Sequence, residues 1–164
     1  MAELRSHAIV LRSQAYREAD KLVTLLTREE GKLGIVARGV QKTKSKFGAL
    51  VEPLTLGWFL LAKGKSLHTL VQGEIIKPYA GLRGEVIKFA YAQYFCELCD
   101  VVLQEMVPAV QVFDLLLTAF ESLESDLQPE RSVRCFELNF LEVLGYRPDL
   151  KRCRFCGGEG PYRF

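Results

Sequence analysis

A basic segment over residues 35–48, IVARGVQKTKSKFG, carries the clearest chemical signal in the sequence. It contains four cations and no acidic residue before Glu52: Arg38, Lys42, Lys44 and Lys46. Small polar residues separate the cations, and an aromatic side chain, Phe47, follows them. Mobile cations beside the end of a strand suit a polyanion such as a nucleic-acid backbone. Short basic runs are also common in solvated surface loops, so the segment alone leaves both interpretations open.

A Cys-x-x-Cys pair near the C-terminal end is a candidate metal site. Cys153 and Cys156 lie in a basic, glycine-rich stretch that is typical of one half of a zinc ribbon. Structural zinc takes four ligands, and the two histidines, His7 and His68, fall in predicted strands. We therefore expect that zinc binds weakly or not at all, or that the other half of the site is missing from this chain.

The remaining cysteines fall inside predicted helices. Cys96 and Cys99 are one helical turn apart, without the turn and glycine that would point two thiolates at one metal. We interpret both, and Cys135, as small buried apolar residues.

No catalytic constellation is present in the sequence. It lacks a phosphate-binding glycine loop, a His-Glu-x-x-His motif and a serine nucleophile elbow. Glu18 and Asp20 have no histidine near them in sequence, so we interpret them as part of a solvated turn. The chain is therefore expected to bind a partner and not to be an enzyme.

Composition sets the frame for these motifs. A chain of 164 residues with 49% hydrophobic content suits one domain or two small ones. Its net charge is only +2, so an affinity for nucleic acid must come from local clustering of charge. The N-terminal stretch has no apolar segment of signal-peptide length, and five cysteines, an odd number, favour a reducing cytoplasm.

The first half of the chain shows strand periodicity. Five short strands are predicted, at residues 7–14, 21–27, 33–40, 54–62 and 67–77, with a hairpin turn at Gly31 and a strand entry at Pro53. This pattern favours a small barrel such as an OB-fold, although an SH3-like barrel or an open meander fits nearly as well. Residues 41–53 take the place of the link between strands three and four, which is usually a helix in OB-folds. Trp58 and Phe59 alternate in facing, so one of them is expected in the core.

The second half shows helical periodicity. Helices are predicted over residues 84–105, 112–123 and 131–144, because apolar residues recur at helical spacing between Pro108, Pro129 and Gly145. The apolar stripe expected on the first helix consists of Tyr91, Tyr94, Phe95, Leu98 and Val102.

The order of short motifs resembles the family of RecO, a bacterial recombination mediator. Tyr16-Arg17-Glu18-Ala19-Asp20, Gly31-Lys32-Leu33, Ala37-Arg38-Gly39-Val40, Lys44-Ser45-Lys46-Phe47-Gly48 and Leu50-Val51-Glu52-Pro53 occur in the order that its N-terminal domain shows. The stretches Phe136-Glu137-Leu138 and Leu144-Gly145-Tyr146, then Asp149-Leu150 and the Cys153/Cys156 pair, match its helical region and the start of its zinc finger.

This resemblance implies an α+β chain of three parts. An OB-fold nucleic-acid-binding domain would occupy residues 1–77, an α-helical domain residues 78–150, and the incomplete start of a zinc-finger insert residues 151–164. A family member would lie in the cytoplasm with the nucleoid, bind single- and double-stranded DNA, and anneal complementary strands. It would also assist loading of RecA onto DNA coated by single-strand binding protein (SSB), with RecR and SSB as partners and no membrane. The second cysteine pair of the family is lacking, so we expect a truncated member.

The expected interface is centred on the basic segment. Arg38, Lys42, Lys44 and Lys46 are predicted to contact phosphates, with Lys32 and Arg12 widening the patch from neighbouring strands. Phe47 would stack on a base or, in our preferred interpretation, anchor the loop in the barrel. Two alternatives stay open: an RNA-binding OB module, and a protein adaptor that binds acidic tails through its helical domain.

Overall fold

The N-terminal half of the chain forms a closed five-stranded β-barrel. A computed structural model describes residues 3–150, 152–153 and 156–158. The strands are β1 (Glu3–Tyr16), β2 (Asp20–Thr27), β3 (Gly31–Ala37), β4 (Leu56–Ala62) and β5 (His68–Lys77). The number and order of the predicted strands are confirmed.

The strand order around the barrel is β1-β2-β3-β5-β4. All pairs are antiparallel except β3–β5, which closes the barrel in parallel through Ile35 opposite His68 and Val36 opposite Thr69. The long β1 pairs with β4 through its first half and with β2 through its second half. This closed arrangement is that of an OB-fold and excludes the open meander.

Residues along the strands alternate between the inside and the outside of the barrel, and the inward-facing ones are largely apolar. In β3, Leu33, Ile35 and Ala37 are buried, whereas Lys32, Gly34 and Val36 are half-buried on the outer face. Phe59 is fully buried in the barrel core, and Trp58 lies half-buried on the outer face of β4, as the alternation predicts.

The link between β3 and β4 differs from the expectation. Strand β3 ends at Ala37 instead of Val40, and residues 38–54 form successive turns instead of a helix. Gly39 has a φ of +66°, a left-handed conformation that ends the strand. The basic residues therefore lie in turns and not in a regular element.

The second half of the chain forms four helices, α1 (Ala80–Gly84), α2 (Val86–Val102), α3 (Val110–Ser125) and α4 (Pro129–Val143). The three predicted helices are confirmed, and the short α1 was not anticipated. Helix α4 starts at Pro129 and is followed by Gly145, whose φ is +85°. Both residues occupy the positions that their backbone preferences favour.

The helices pack on the outside of the barrel. Strands β1 and β2 therefore contribute side chains to two hydrophobic cores, one inside the barrel and one between the barrel and the helices. Ile9 and Leu26 point away from the barrel interior and belong to the helical core with Phe95, Phe120 and Phe136. The helices thus cover the outer face of β1 and β2 around Ile9 and Leu26.

The predicted apolar stripe of α2 is confirmed in part. Phe95 is buried, and Tyr91 and Leu98 are partly buried against the helical core, but Tyr94 and Val102 are exposed. The buried face also contains three small residues, Ala92, Cys96 and Cys99.

Cys135 was expected in the core but is exposed on α4. It precedes the buried Phe136, so it faces away from the side of α4 that packs in the core.

In the described part of the chain no helix is both long and apolar enough to cross a membrane.

Candidate nucleic-acid interface

The basic loop, which we define as residues 38–46, presents its cations to solvent. Its four cations are exposed, and none of them forms a hydrogen bond or ion pair with its side chain among the described residues: Arg38, Lys42, Lys44 and Lys46. Two tight turns keep the loop compact, since the Lys42 N–H donates to Gly39 O at 3.3 Å and the Ser45 N–H to Lys42 O at 2.9 Å. The positive charge is therefore concentrated within a short stretch of surface.

Two carboxylates that touch this loop and its flank have other partners. The Gly39 N–H donates to Asp20 Oδ1 at 2.8 Å, and Lys21 Nζ lies 2.5 Å from Glu52 Oε1. Because Asp20 binds a backbone amide and Glu52 binds Lys21, neither is paired with a cation of the loop. Among the described residues, the four charges of the loop therefore have no acidic partner.

Apolar side chains on both sides hold the basic loop on the barrel. Val40, Leu50 and Val51 are buried in the barrel core, and Phe47 is half-buried against it. The Phe47 carbonyl also accepts the Val51 N–H at 3.2 Å. This placement agrees with the interpretation of Phe47 as the anchor of the loop.

Arg12 lies on the outer face of the barrel, beside the same loop-bearing strands. It is exposed on β1 opposite Thr24 of β2, which is opposite Gly34 of β3. Its guanidinium donates to Gln14 Oε1 at 3.1 Å. In OB-folds the face of strands two and three is the usual oligonucleotide surface, so Arg12 remains a candidate contact.

The structure does not bring Lys32 to this surface. Lys32 lies near the start of β3, roughly 16 Å along the strand from Ala37. Its ammonium is 3.3 Å from Asp100 Oδ1 on α2, and its side chain is only 12% exposed. Lys32 joins the barrel to the helices, and we leave it out of the interface.

The turn between β1 and β2 adds two residues, Tyr16 and Arg17, to those predicted for the interface. Tyr16 is 37% exposed, and the guanidinium carbon of Arg17 lies 5.1 Å from the centre of its ring. Arg17 has a φ of +57°, a left-handed conformation uncommon for arginine. In the sequence the two residues stand only as part of the motif Tyr16-Arg17-Glu18-Ala19-Asp20, which does not reveal that conformation.

Two backbone hydrogen bonds join the described residues of the cysteine pair and the glycines after it. The Gly157 N–H donates to Cys153 O at 2.8 Å and the Cys153 N–H to Gly158 O at 3.0 Å, while Arg154 and Phe155 fall outside the described residues. Within the described ranges, no group of three or more histidine, cysteine or acidic residues is arranged to hold a metal. Two thiols supply half of the ligands that structural zinc requires, so these residues alone do not fit the ion.

Cys96 and Cys99 are unsuited to a metal. Burial raises the pKa of the Cys99 thiol to about 12, and it raises that of Cys96 well above its usual value. Metals bind thiolates, and these thiols stay protonated at neutral pH. Both are buried, as predicted.

The fold and the basic loop together define the class of protein to which this chain belongs. The chain is an OB-fold barrel with an attached helical domain and an exposed basic loop on the barrel. Residues 1–79 match the family model of the recombination protein O N terminal, and residues 83–163 match that of the recombination protein O C terminal. The chain belongs to the recombination protein O family, which confirms the resemblance.

Curated relatives of the same family agree over nearly the whole chain. It is 37% identical to the DNA repair protein RecO of Listeria monocytogenes, serotype 4a, over 153 residues. These aligned residues make up 93% of this chain and 60% of the relative. It is 38% identical to the protein of that name from Bacillus pumilus over 98% of this chain and 63% of the relative. For Symbiobacterium thermophilum the identity is 41%, over 97% of this chain and 63% of the relative. The chain thus spans less than two thirds of the length of these relatives.

Proposed function

We propose that this chain acts in DNA repair as a non-catalytic recombination mediator that binds single- and double-stranded DNA and anneals complementary strands. The observation that carries the proposal is the basic loop, with four exposed cations that have no acidic partner among the described residues. Family membership supports the repair role, because the relatives are named DNA repair proteins.

The physical task in annealing is to reduce repulsion between two phosphate backbones. Cations that bind phosphates release condensed counterions, and this release supplies binding free energy that does not depend on sequence. The side chains of the basic loop are long and solvated, so they can follow backbones of different shape. No bond is made or broken, and the proposal requires no catalytic residue.

The proposal extends to partners through the family. Assistance in loading RecA onto SSB-coated DNA, with RecR and SSB as partners, belongs to it as an expectation for family members. We assign no docking residues for either protein on this chain. Zinc is left out, because Cys153 and Cys156 provide two of the four ligands needed.

Replacement of all four loop cations with alanine tests the proposal. Four phosphate contacts on a single strand correspond to a slope of about −3 for log affinity against log salt. We expect the variant with Arg38→Ala, Lys42→Ala, Lys44→Ala and Lys46→Ala to lose most of that slope and to bind all sequences more weakly. Fluorescence anisotropy of a labelled single-stranded oligonucleotide over a salt series measures both quantities.

A control variant replaces four exposed cations elsewhere with alanine, all of them arginines on β1, on α4 and after it: Arg5, Arg131, Arg134 and Arg147. It lowers the net charge equally but should retain the slope. Equal binding by the parent and the loop variant would refute the interface. Competition with RNA of matched sequence in the same assay separates a DNA mediator from an RNA-binding module.

A further inference from the structure

The β1–β2 turn holds an aromatic side chain beside the basic loop in a way that suits a nucleobase. We propose that Tyr16 is a stacking platform for a base of single-stranded DNA, with Arg17 supporting its ring. This inference rests on the proposed function and adds to it a residue that distinguishes single strands from duplex.

The first argument is the geometry of the pair. Tyr16 lies at the end of β1 and is 37% exposed, and its ring has the Arg17 guanidinium 5.1 Å from its centre. Arg17 itself has a left-handed φ of +57° in this turn. With the cation over the ring, the exposed part of the Tyr16 side chain offers a stacking surface to a flat base.

The second argument is that the turn and the basic loop form one surface. Tyr16 pairs with Asp20 across the hairpin, and Asp20 Oδ1 accepts the Gly39 N–H at 2.8 Å. The side chain of Gln41 donates to Asp20 O at 2.7 Å, and its backbone N–H donates to Ala19 O at 3.0 Å. A DNA strand whose phosphates contact the basic loop would therefore lie next to the β1–β2 turn.

The third argument is the charge of the turn itself. It carries one cation, Arg17, against the carboxylates of Glu18 and Asp20. A surface of this charge does not attract phosphate, so the contact that Tyr16 offers is to a base. Bases are free to stack in a single strand and are paired and stacked in duplex, which is why the residue discriminates between the two.

The test compares Tyr16→Leu, which keeps apolar bulk without a π system, with Tyr16→Phe, which keeps the ring. Ligands are a labelled oligo-dT, the same strand with abasic sites throughout, and a duplex of equal length. We expect Tyr16→Leu to weaken oligo-dT binding by about fivefold or more, with the salt slope unchanged. Binding to the abasic strand and to duplex should stay within about twofold of the parent, and Tyr16→Phe should match the parent throughout.

Tyr146→Leu is the matched control, because Tyr146 is 74% exposed after α4, in the helical half of the chain. A loss below fivefold on oligo-dT, or an equal loss on the abasic strand or on duplex, overturns the proposal. If Tyr16→Leu has no effect while the loop variant still weakens binding, only the stacking role fails. If the loop variant binds normally, the proposed function itself fails.

Discussion

At single residues, the absence of a side chain lets the barrel and the helical half come very close together. Gly31 turns the β2–β3 hairpin with a φ of +76°, and a Cβ placed there would lie 1.9 Å from the carbonyl oxygen of Val107. Glycine is needed here for two reasons, the left-handed backbone and the close approach of the segment that precedes α3. Gly145 shares the first reason but not the second, since a Cβ at that position would meet nothing within 4 Å.

Alanine at these two glycines should therefore have different costs. We expect Gly31→Ala to lower the free energy of unfolding by about 3 kcal/mol or more, because backbone strain and a clash with backbone atoms add. Gly145→Ala should cost only the left-handed strain, about 1–2 kcal/mol. Urea unfolding of both variants measures the difference, and equal losses would contradict the close approach of Val107 to the hairpin.

Between elements, the β2–β3 hairpin is fastened to α2 and the segment after it. Lys32 is paired with Asp100 at 3.3 Å, and the Lys32 carbonyl accepts the Met106 N–H at 2.9 Å. Side-chain exposures of 12% and 25% place the Lys32–Asp100 pair largely out of solvent. A lysine that resembles a DNA contact in the sequence thus has a structural role.

The replacement Lys32→Met separates the two roles. It keeps the apolar stem but leaves Asp100 without its cation, so we expect a loss of about 1–2 kcal/mol in unfolding free energy. The salt slope of DNA binding should not change. Lys44→Met should do the reverse, with normal stability and a slope smaller by about 0.7. A smaller slope for Lys32→Met would return that residue to the interface.

Across the whole molecule, the two cores are joined through the first two strands. Ile9 and Leu26 belong to the helical core, while Val10 and Leu25 beside them belong to the barrel core. Neither half can lose its packing without exposing apolar surface of the other. The barrel and the helices are therefore expected to unfold together.

Trp58 makes this expectation measurable, because it is the single tryptophan and lies in the barrel. Its fluorescence reports on the barrel, and far-ultraviolet circular dichroism is dominated by the helices. In a urea titration we expect the two normalised curves to superimpose with one midpoint. Separate midpoints would show that the halves unfold independently.

Much of the fold follows from local patterns. Alternation and turn residues such as Gly31 predict five strands, and helical spacing between Pro108, Pro129 and Gly145 predicts three of the four helices. The ends of these elements were less accurate, as in β3, because Gly39 adopts a left-handed φ that its neighbours do not announce. The buried face of α2 is predicted only in part, because aromatic residues at helical spacing fit either of two adjacent stripes.

The amino-acid sequence alone was enough to locate the basic loop, to place the barrel before the helices and to indicate the family, because these depend on residue types in order along the chain. Which cations stay available for an anion depends on distances between residues far apart in that order. Asp100 lies 68 residues from Lys32 and pairs with it, whereas Asp20 and Glu52 bind groups other than the loop cations. Such pairings arise only when the barrel closes and the helices pack against it, since Coulomb attraction acts through space and not along the chain.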